Sequence, residues 1–489
     1  MIRDFVVTRP AVRMTFAGFF AQDDFRVTRK LTLNVGLRWD VYTTPVDAHN
    51  HQSNFVPSTG LIQIASSSNR GPNVDTYYGN WGPRVGLAYS PDNGRTAFRA
   101  AYGISYFPDN FGATGGTLER NYPFFLIITQ KANSQTDPAQ ALKLSDGLPV
   151  APTVMTTPGG TLTPPPNFAV FVVSKNFRQD SAQVWNISVE RQLMANMSFR
   201  AAYVGTHGTH LYRDLQLDQC DPAVVAVTPP PACLPYFSVA PTIREIHQRN
   251  GDGYSHYSSA QFELQKRTNI GLTLIGSYTW SKMIDNTDTV VYPYRDSLNR
   301  GLARGFKGSD IPQNLSVSYN YDLPLGRGRS WLSDASGAIN YIVSGWSASG
   351  ITTFQSGVPL QITVAQNLLN NFGGSNPANL ICKSVSEPKT VSQWFDTGCF
   401  ANPPAFTFGN SGVGHVRGPG ISNWDFSLAK TTPLGAESRQ LRFEANFFNL
   451  FNTPHFSNPG TTFGSGSFGV ISSTRLPPRY VQFGLKLLF

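Results

Sequence analysis

The chain has 489 residues, of which 14% are charged, 12% aromatic and 40% hydrophobic, with 44 glycines and 35 prolines. A charged share well below the roughly 25% of an average soluble protein excludes a coiled coil, a helical solenoid and a charge-rich disordered chain, and it fits short strands joined by turn-rich loops. The net charge of +9 arises from 39 basic and 30 acidic residues with no block of Lys or Arg, so nucleic acid is not an expected partner.

Mean hydropathy is −0.21, and apolar runs such as 124–128 fall far short of the ~20 residues a spanning helix needs. The start, Met1-Ile2-Arg3-Asp4-Phe5, is no secretory signal, because no apolar stretch follows the early charge. The chain is therefore expected either to stay inside the cell or to have its true beginning upstream. Residues 1–14 read as a lead-in to the first strand.

From there a period of two dominates. Leu31, Leu33, Val35, Leu37, Trp39 and Val41 alternate with Thr32, Asn34, Gly36, Arg38 and Asp40. The pattern returns at Trp185/Ile187/Val189, Ala260/Phe262/Leu264, Leu272/Leu274, Val317/Tyr319/Tyr321, Trp424/Phe426/Leu428 and Leu441/Phe443/Ala445/Phe447. It closes the chain at Val481, Phe483, Leu485, Leu487 and Phe489. Each such strand has one apolar and one polar face. The predicted strands are 15–25, 29–42, 81–90, 95–108, 180–193, 196–207, 254–267, 270–284, 309–323, 340–355, 422–431, 439–451 and 478–489.

The connections are sorted by length. Odd-numbered strands lead into turns (short ones at 26–28, 91–94, 194–196 and 268–269, longer ones at 324–339 and 432–438). Even-numbered strands lead into long Gly/Pro/Ser/Asn-rich excursions at 43–80, 109–179, 208–253, 285–308, 356–421 and 452–477. Short turns at one end and long loops at the other are the topology of an outer-membrane β-barrel. Aromatics at the long-loop ends, Trp39/Tyr42, Tyr106/Phe107, Tyr278/Trp280 and Phe447/Phe448/Phe451, read as an interfacial belt. The fold class expected is all-β: an antiparallel transmembrane β-barrel of about 13 strands. Because bacterial barrels of one chain have even strand counts, those strands are expected to be part of a larger barrel, with an N-terminal portion absent.

Four cysteines form two close pairs, Cys220/Cys233 and Cys382/Cys399, neither at CxxC spacing. Two loop-closing disulfides in an oxidising compartment are expected; the alternative is four free thiols. On the polar faces, Arg38, Asp40, Arg99, Glu190, Arg200, Glu263, Arg442, Glu444 and Lys486 are expected to face the lumen, pairing with one another or guiding a substrate. Val481, Phe483, Leu485, Leu487 and Phe489 are expected to face outer-membrane lipid, with Gln482, Gly484 and Lys486 on the lumen side.

Several of these stretches resemble TonB-dependent receptors of the Oar-like group, which carry a carboxypeptidase-regulatory-like N-terminal domain. They are 20–38 (from Phe20-Ala21-Gln22-Asp23-Asp24-Phe25), Tyr278-Thr279-Trp280-Ser281-Lys282, Arg417-Gly418-Pro419-Gly420 leading into Asn423-Trp424-Asp425-Phe426, the run 441–452 around Arg442-Phe443-Glu444, and the terminal 482–489. The resemblance runs from about residue 15 to the end. It implies a barrel domain over 15–489, the C-terminal part only, without signal peptide or plug. Contact with TonB would then pass only through a plug absent from this chain. The terminal alternation is similar to the signal read by the barrel assembly machinery. Import of a bulky, unidentified nutrient across the bacterial outer membrane is the activity implied; an adhesion or structural barrel and a passive porin are the alternatives.

No catalytic constellation is legible, and no cofactor or metal is expected. His49/His51 and His207/His210 lack an apparent third ligand, and no G-x-S-x-G elbow is present. The glycine-rich 412–418 precedes no helical pattern. Asn186, Asn196 and Asn314 match a glycosylation sequon but fall in or beside strands.

Overall fold

A bilayer-spanning strand must hydrogen-bond to neighbours on both sides, and the strands here are laid out to do so. The computed structural model describes residues 5–6, 11–108, 115–126, 156–243, 245–268, 271–287, 296–306, 308–371, 374–435 and 439–489. Most of the lead-in 1–14 lies outside the described residues, as do Asn269 and 436–438 of two predicted turns and much of the second long excursion.

Thirteen strands follow one another in chain order: β1 (Phe16–Arg26), β2 (Leu31–Tyr42), β3 (Asn80–Tyr89), β4 (Thr96–Tyr106), β5 (Ser181–Met194), β6 (Met197–Gln216), β7 (Glu245–Arg267), β8 (Leu272–Asp285), β9 (Gln313–Asp322), β10 (Trp346–Gln355), β11 (Ile421–Pro433), β12 (Gln440–Phe448) and β13 (Tyr480–Leu488). They pair in that order in one 15-stranded sheet, whose other two members are Ala169–Val173 on β7 and Gly305–Phe306 on β8. All pairings along the path are antiparallel. The meander therefore carries all six long connections at one end and the end of β13 at the other. Among the described residues β1 and β13 are the two edges of the sheet and do not pair with each other. No helix among the described residues is long and apolar enough to cross a membrane.

Several predicted boundaries shift. β6 and β7 run on past 207 and begin well before 254, as a ribbon rising beyond the sheet. That stretch lacks apolar alternation, and its pairing is supplied by the ribbon itself and by Ala169–Val173, which adds to β7 in parallel. Residues 340–343 are not strand but the end of a helix, Gly337–Val343; a short apolar run does not by itself distinguish the two. Gly345 follows it at φ +75°, and a Cβ there would lie 2.1 Å from the Thr431 carbonyl oxygen, so only glycine lets the chain enter β10.

The aromatic belt also separates by parity. Phe19, Trp39 and Trp81 stack across β1–β3 at 5.8 and 5.6 Å. Tyr42, three residues beyond Trp39, falls on the opposite face and is buried. Phe447 faces Phe426, whereas Phe448 turns to the other side against Tyr480. A step of one residue reverses the face.

The buried cores lie in the long connections and not between strand faces. Phe55, Ile62, Phe124, Val170, Val172, Ile243 and Ile246 gather the first three connections into one cap. Asn54 and Asn121 knit it: each side-chain amide donates to the backbone of the neighbouring segments and accepts from Val173 N–H or Phe171 N–H. Leu360, Ile362, Phe395, Phe400, Val416 and Ile471 join the last two connections into a second cap. Phe395, Phe400 and Phe468 meet there edge to face at 5.2–5.8 Å.

On β13, Phe483 is 67% exposed and stacks on Phe443 at 6.1 Å, while Gln482 is opposite Asn446 on the polar face. Phe483→Arg should cost about 2–4 kcal/mol in a membrane, the penalty for a cation at mid-depth on a lipid-facing strand. Gln482→Arg should be close to neutral. The heat-modifiable folded fraction of each variant in membranes checks this; equal yields would refute the face assignment.

Candidate functional site

Alternation places the nine charged strand residues on one face, and register brings most of them together. Arg38 Nε lies 2.8 Å from Asp40 Oδ1, and Arg99 Nη1 lies 2.9 Å from Glu190 Oε2. Glu444 receives Arg442 Nε at 2.7 Å and Lys486 Nζ at 3.0 Å. Arg200 stands in register between Glu190 and Glu263, and Gln265 Nε2 donates to Glu263 at 2.6 Å. Gly18 makes room for the first pair, since a Cβ there would come within 2.7 Å of Arg38 Nη2 and 2.9 Å of Asp40 Oδ1. Ion pairs this accessible contribute about 0–1 kcal/mol each. Their effect is to hydrate the face and cancel its charge locally.

The same face is not uniformly polar. A cavity of about 450 Å³ is lined by Ile275, Asn320, Ile351, Asp425 and Phe448, and a second of about 370 Å³ near the short turns by Arg99, Glu190, Gln265 and Arg267. On the other face of β13, Val481, Phe483, Leu485 and Leu487 are exposed, and Phe489 beyond the strand is 94% exposed.

Above the sheet, the β6–β7 ribbon holds an ionic cluster that sequence reasoning missed. Asp214 lies 3.3 Å from His247 Nδ1 and 2.7 Å from Arg249 Nη1, and His247 Nε2 lies 3.1 Å from Glu245 Oε2. Arg249 also donates to the Tyr212 hydroxyl and packs over the Phe171 and Tyr212 rings. Burial alone would pull the His247 pKa down, but the hydrogen bonds and charges of Asp214 and Glu245 outweigh it and raise it to about 9. Beside it Arg213 is buried with Asp252 at 3.3 Å. In the first cap, burial raises the Glu119 carboxyl to about 7, against the opposing hydrogen bond from Gln52. The signal that could have found the cluster is Glu245/His247/Arg249 at every second position, the spacing of one strand face.

Cys220 and Cys233 are bonded, with Cα atoms 5.4 Å apart, as are Cys382 and Cys399 at 5.1 Å. Each bridge closes a local loop within a cap. The His49 and His51 rings lie tilted at 5.7 Å, with His51 turned to Asp47. His207 contacts the Ser255 carbonyl, and His210 adopts φ 57° near Arg178. Among the described residues no group of three or more His, Cys, Asp or Glu side chains could hold a metal ion. The 412–418 segment lies in the second cap, where Val416 is part of the core.

A family model, outer membrane beta barrel domain, matches residues 2–482. No curated protein matches the chain. Among solved structures, the ferripyoverdine receptor of the Pseudomonas aeruginosa outer membrane is similar at 11% identity and TM-score 0.43, covering 96% of this chain and 38% of its own. The FrpB iron transporter of Neisseria meningitidis gives 12% identity and TM-score 0.45, covering 97% and 45%. The outer membrane transporter YddB of Escherichia coli gives 9% and 0.47, covering 97% and 54%. The chain thus spans between about two fifths and little more than half of these structures.

Two outcomes are expected of the caps. His247 bears a proton in the folded ribbon at a pH where an ordinary histidine has lost it, so its stabilisation is full below about pH 6.5 and is lost as pH rises through about 9. Hydrogen exchange at 212–216 and 245–250, corrected for intrinsic rate, should therefore accelerate between pH 7 and 10, and His247→Gln should flatten that response. Separately, reduction should cost each loop, whose cysteines stand at sequence separations of 13 and 17, about 3 kcal/mol. Protease cleavage within 221–232 and 383–398 should rise on adding reductant; unchanged cleavage would count against a stabilising role.

Proposed function

This chain belongs to the outer membrane beta-barrel domain family, and on that premise we propose that it is the C-terminal part of the barrel of an Oar-like, TonB-dependent receptor that imports a bulky nutrient. Its place is the bacterial outer membrane, and the family is one of barrels and not of enzymes. The barrel domain is read as 15–489, preceded by the lead-in 1–14. Its partners are outer-membrane lipid, the barrel assembly machinery and, through a plug domain outside these residues, TonB.

One observation carries the reading: thirteen consecutive strands whose two edges are unpaired with each other among the described residues. Open edges are not tolerated in hydrocarbon, so the wall is completed by further strands. Completed to about 22 strands, the wall would have the width at which transporters carry a plugged lumen. The caps support the same reading, since six long connections folded at one end offer a large capture surface above the lumen. The motifs at 20–38, 278–282, 417–426 and 441–452 add the Oar-like assignment.

The test compares growth of the source bacterium on an array of large nutrients with the locus intact, with the locus deleted, and with TonB deleted. The proposal expects at least one nutrient whose use is lost in both deletions. A nutrient lost only with the locus would make the protein a passive pore. No nutrient lost, with surface attachment reduced, would make it an adhesion barrel.

A further inference from the structure

The polar face carries two cations that its self-neutralising pairs leave over. Arg95, just ahead of β4, and Arg267, the last residue of β7, line the recess of about 370 Å³ at the short-turn end. Parity puts both on that face. Arg95 precedes Arg99 by four residues, and Arg267 stands two beyond Gln265, which shares a row with Gln192 and Ser198 across β5, β6 and β7. Both arginines are exposed, and among the described residues neither makes an ion pair.

The carboxylates nearby are committed elsewhere. Glu190 holds Arg99 at 2.9 Å. Glu263 accepts the Gln265 amide at 2.6 Å and faces Arg200 in register. Asp92, the acid before Arg95 in the turn, accepts the Thr96 N–H at 2.6 Å and the Thr96 hydroxyl at 2.7 Å. The backbone beneath the two arginines is fixed: the Arg95 carbonyl accepts the Gln192 N–H at 2.8 Å, and the Arg267 N–H donates to the Asn196 carbonyl at 2.8 Å. Two guanidinium groups therefore line one hollow on a braced base, without a carboxylate of their own. The remaining lining is neutral. Gln192, Asn196 and Ser198 offer hydrogen bonds, Ala97 leaves room, and no aromatic side chain is among the lining residues.

We propose that this recess binds a small phosphate monoester with a polar body, such as a sugar phosphate. The dianionic phosphate lies between Arg95 and Arg267, and the hydroxyls of the body meet Gln192, Asn196 and Ser198. A guanidinium matches a phosphate edge with two parallel N–H···O bonds, so a pair of them answers a dianion. The volume falls at the small end of ligand pockets, which suits a small solute and not a protein segment. A bare phosphate would leave the neutral donors unused, and an apolar body would leave them unpaired. A phospholipid cannot present its headgroup here, because its acyl chains belong on the opposite face of the sheet. At the short-turn end the site holds such a solute at the mouth opposite the caps. It requires only that the polar face be wet, and it stands whether or not TonB drives the barrel.

The experiment titrates the full chain, extracted from outer membranes in mild detergent and checked for folding by heat modifiability, with glucose 6-phosphate in a calorimeter. Arg267→Gln and Arg95→Gln should each weaken binding about tenfold, the loss of one charge-assisted hydrogen bond. Two variants in separate segments keep the test open if one folds poorly. Arg329→Gln, at an exposed cation in the turn between β9 and β10, should bind as the wild type does. Glucose should not bind, and inorganic phosphate should bind more weakly than the ester. Wild-type affinity in both recess variants would overturn the proposal, as would a wild type that does not bind the ester. So would glucose bound as well as its phosphate, or inorganic phosphate bound as tightly as the ester, which would mark a free-anion site.

Discussion

Hydrocarbon offers no partner to a peptide N–H or C=O, and this one constraint organises the molecule. It requires each strand to spend its backbone on two neighbours, which the antiparallel meander from β1 to β13 does in chain order. With the backbone committed, side chains can only alternate. The sheet therefore needs no apolar core of its own: Phe19, Val35, Leu37, Phe483 and Leu485 stand exposed because the medium they meet is lipid. Residues one step along the chain belong to a different solvent, and this is why Arg38 and Leu37 can be neighbours.

Outside the bilayer the rule inverts. The long connections meet water and behave as small soluble domains, with buried phenylalanines, asparagine side chains that satisfy buried backbone, and disulfides that shorten the unfolded chain. Close backbone approach marks the border: a Cβ on Gly357, just past β10, would lie 1.7 Å from the Gly418 carbonyl oxygen, where the chain returns toward β11. Charges follow the same division. On the strands they pair at the surface of a wet face, worth little individually. In the ribbon, Asp214, His247 and Arg249 are largely withdrawn from water, so their pairing shifts a pKa and couples the cap to pH.

The two faces also divide the functions. The polar face mixes self-neutralising ion pairs with apolar recesses around Ile275, Ile351 and Phe448, a surface that can meet protein or a large solute without a strong field. The apolar face ends at its rim in aromatics such as Trp424, which meets Phe354 and Phe451 edge to face. At β8 that rim also bears Lys282. The polar side and the caps meet water; the outside of the wall meets lipid.

The sequence by itself determined the number and order of the strands, the end at which each connection lies and the face of every alternating residue. Those properties depend on a period of two and on loop length, both local. Nine charged residues from Arg38 to Lys486 were legible for that reason, as was the apolar series ending at Phe489. The ribbon of β6 and β7 was not legible, because residues 208–216 and 245–253 lack alternation and become strands only by pairing with each other and with Ala169–Val173. Neither was the helix at Gly337–Val343, whose apolar run suits either state. Only the tertiary structure decided which distant loops share a core, that Asp214 meets His247, and that Lys282 and Arg417 face the Phe306 ring. Those contacts join segments tens to more than a hundred residues apart, and no periodicity within a segment encodes what it will meet across such a distance.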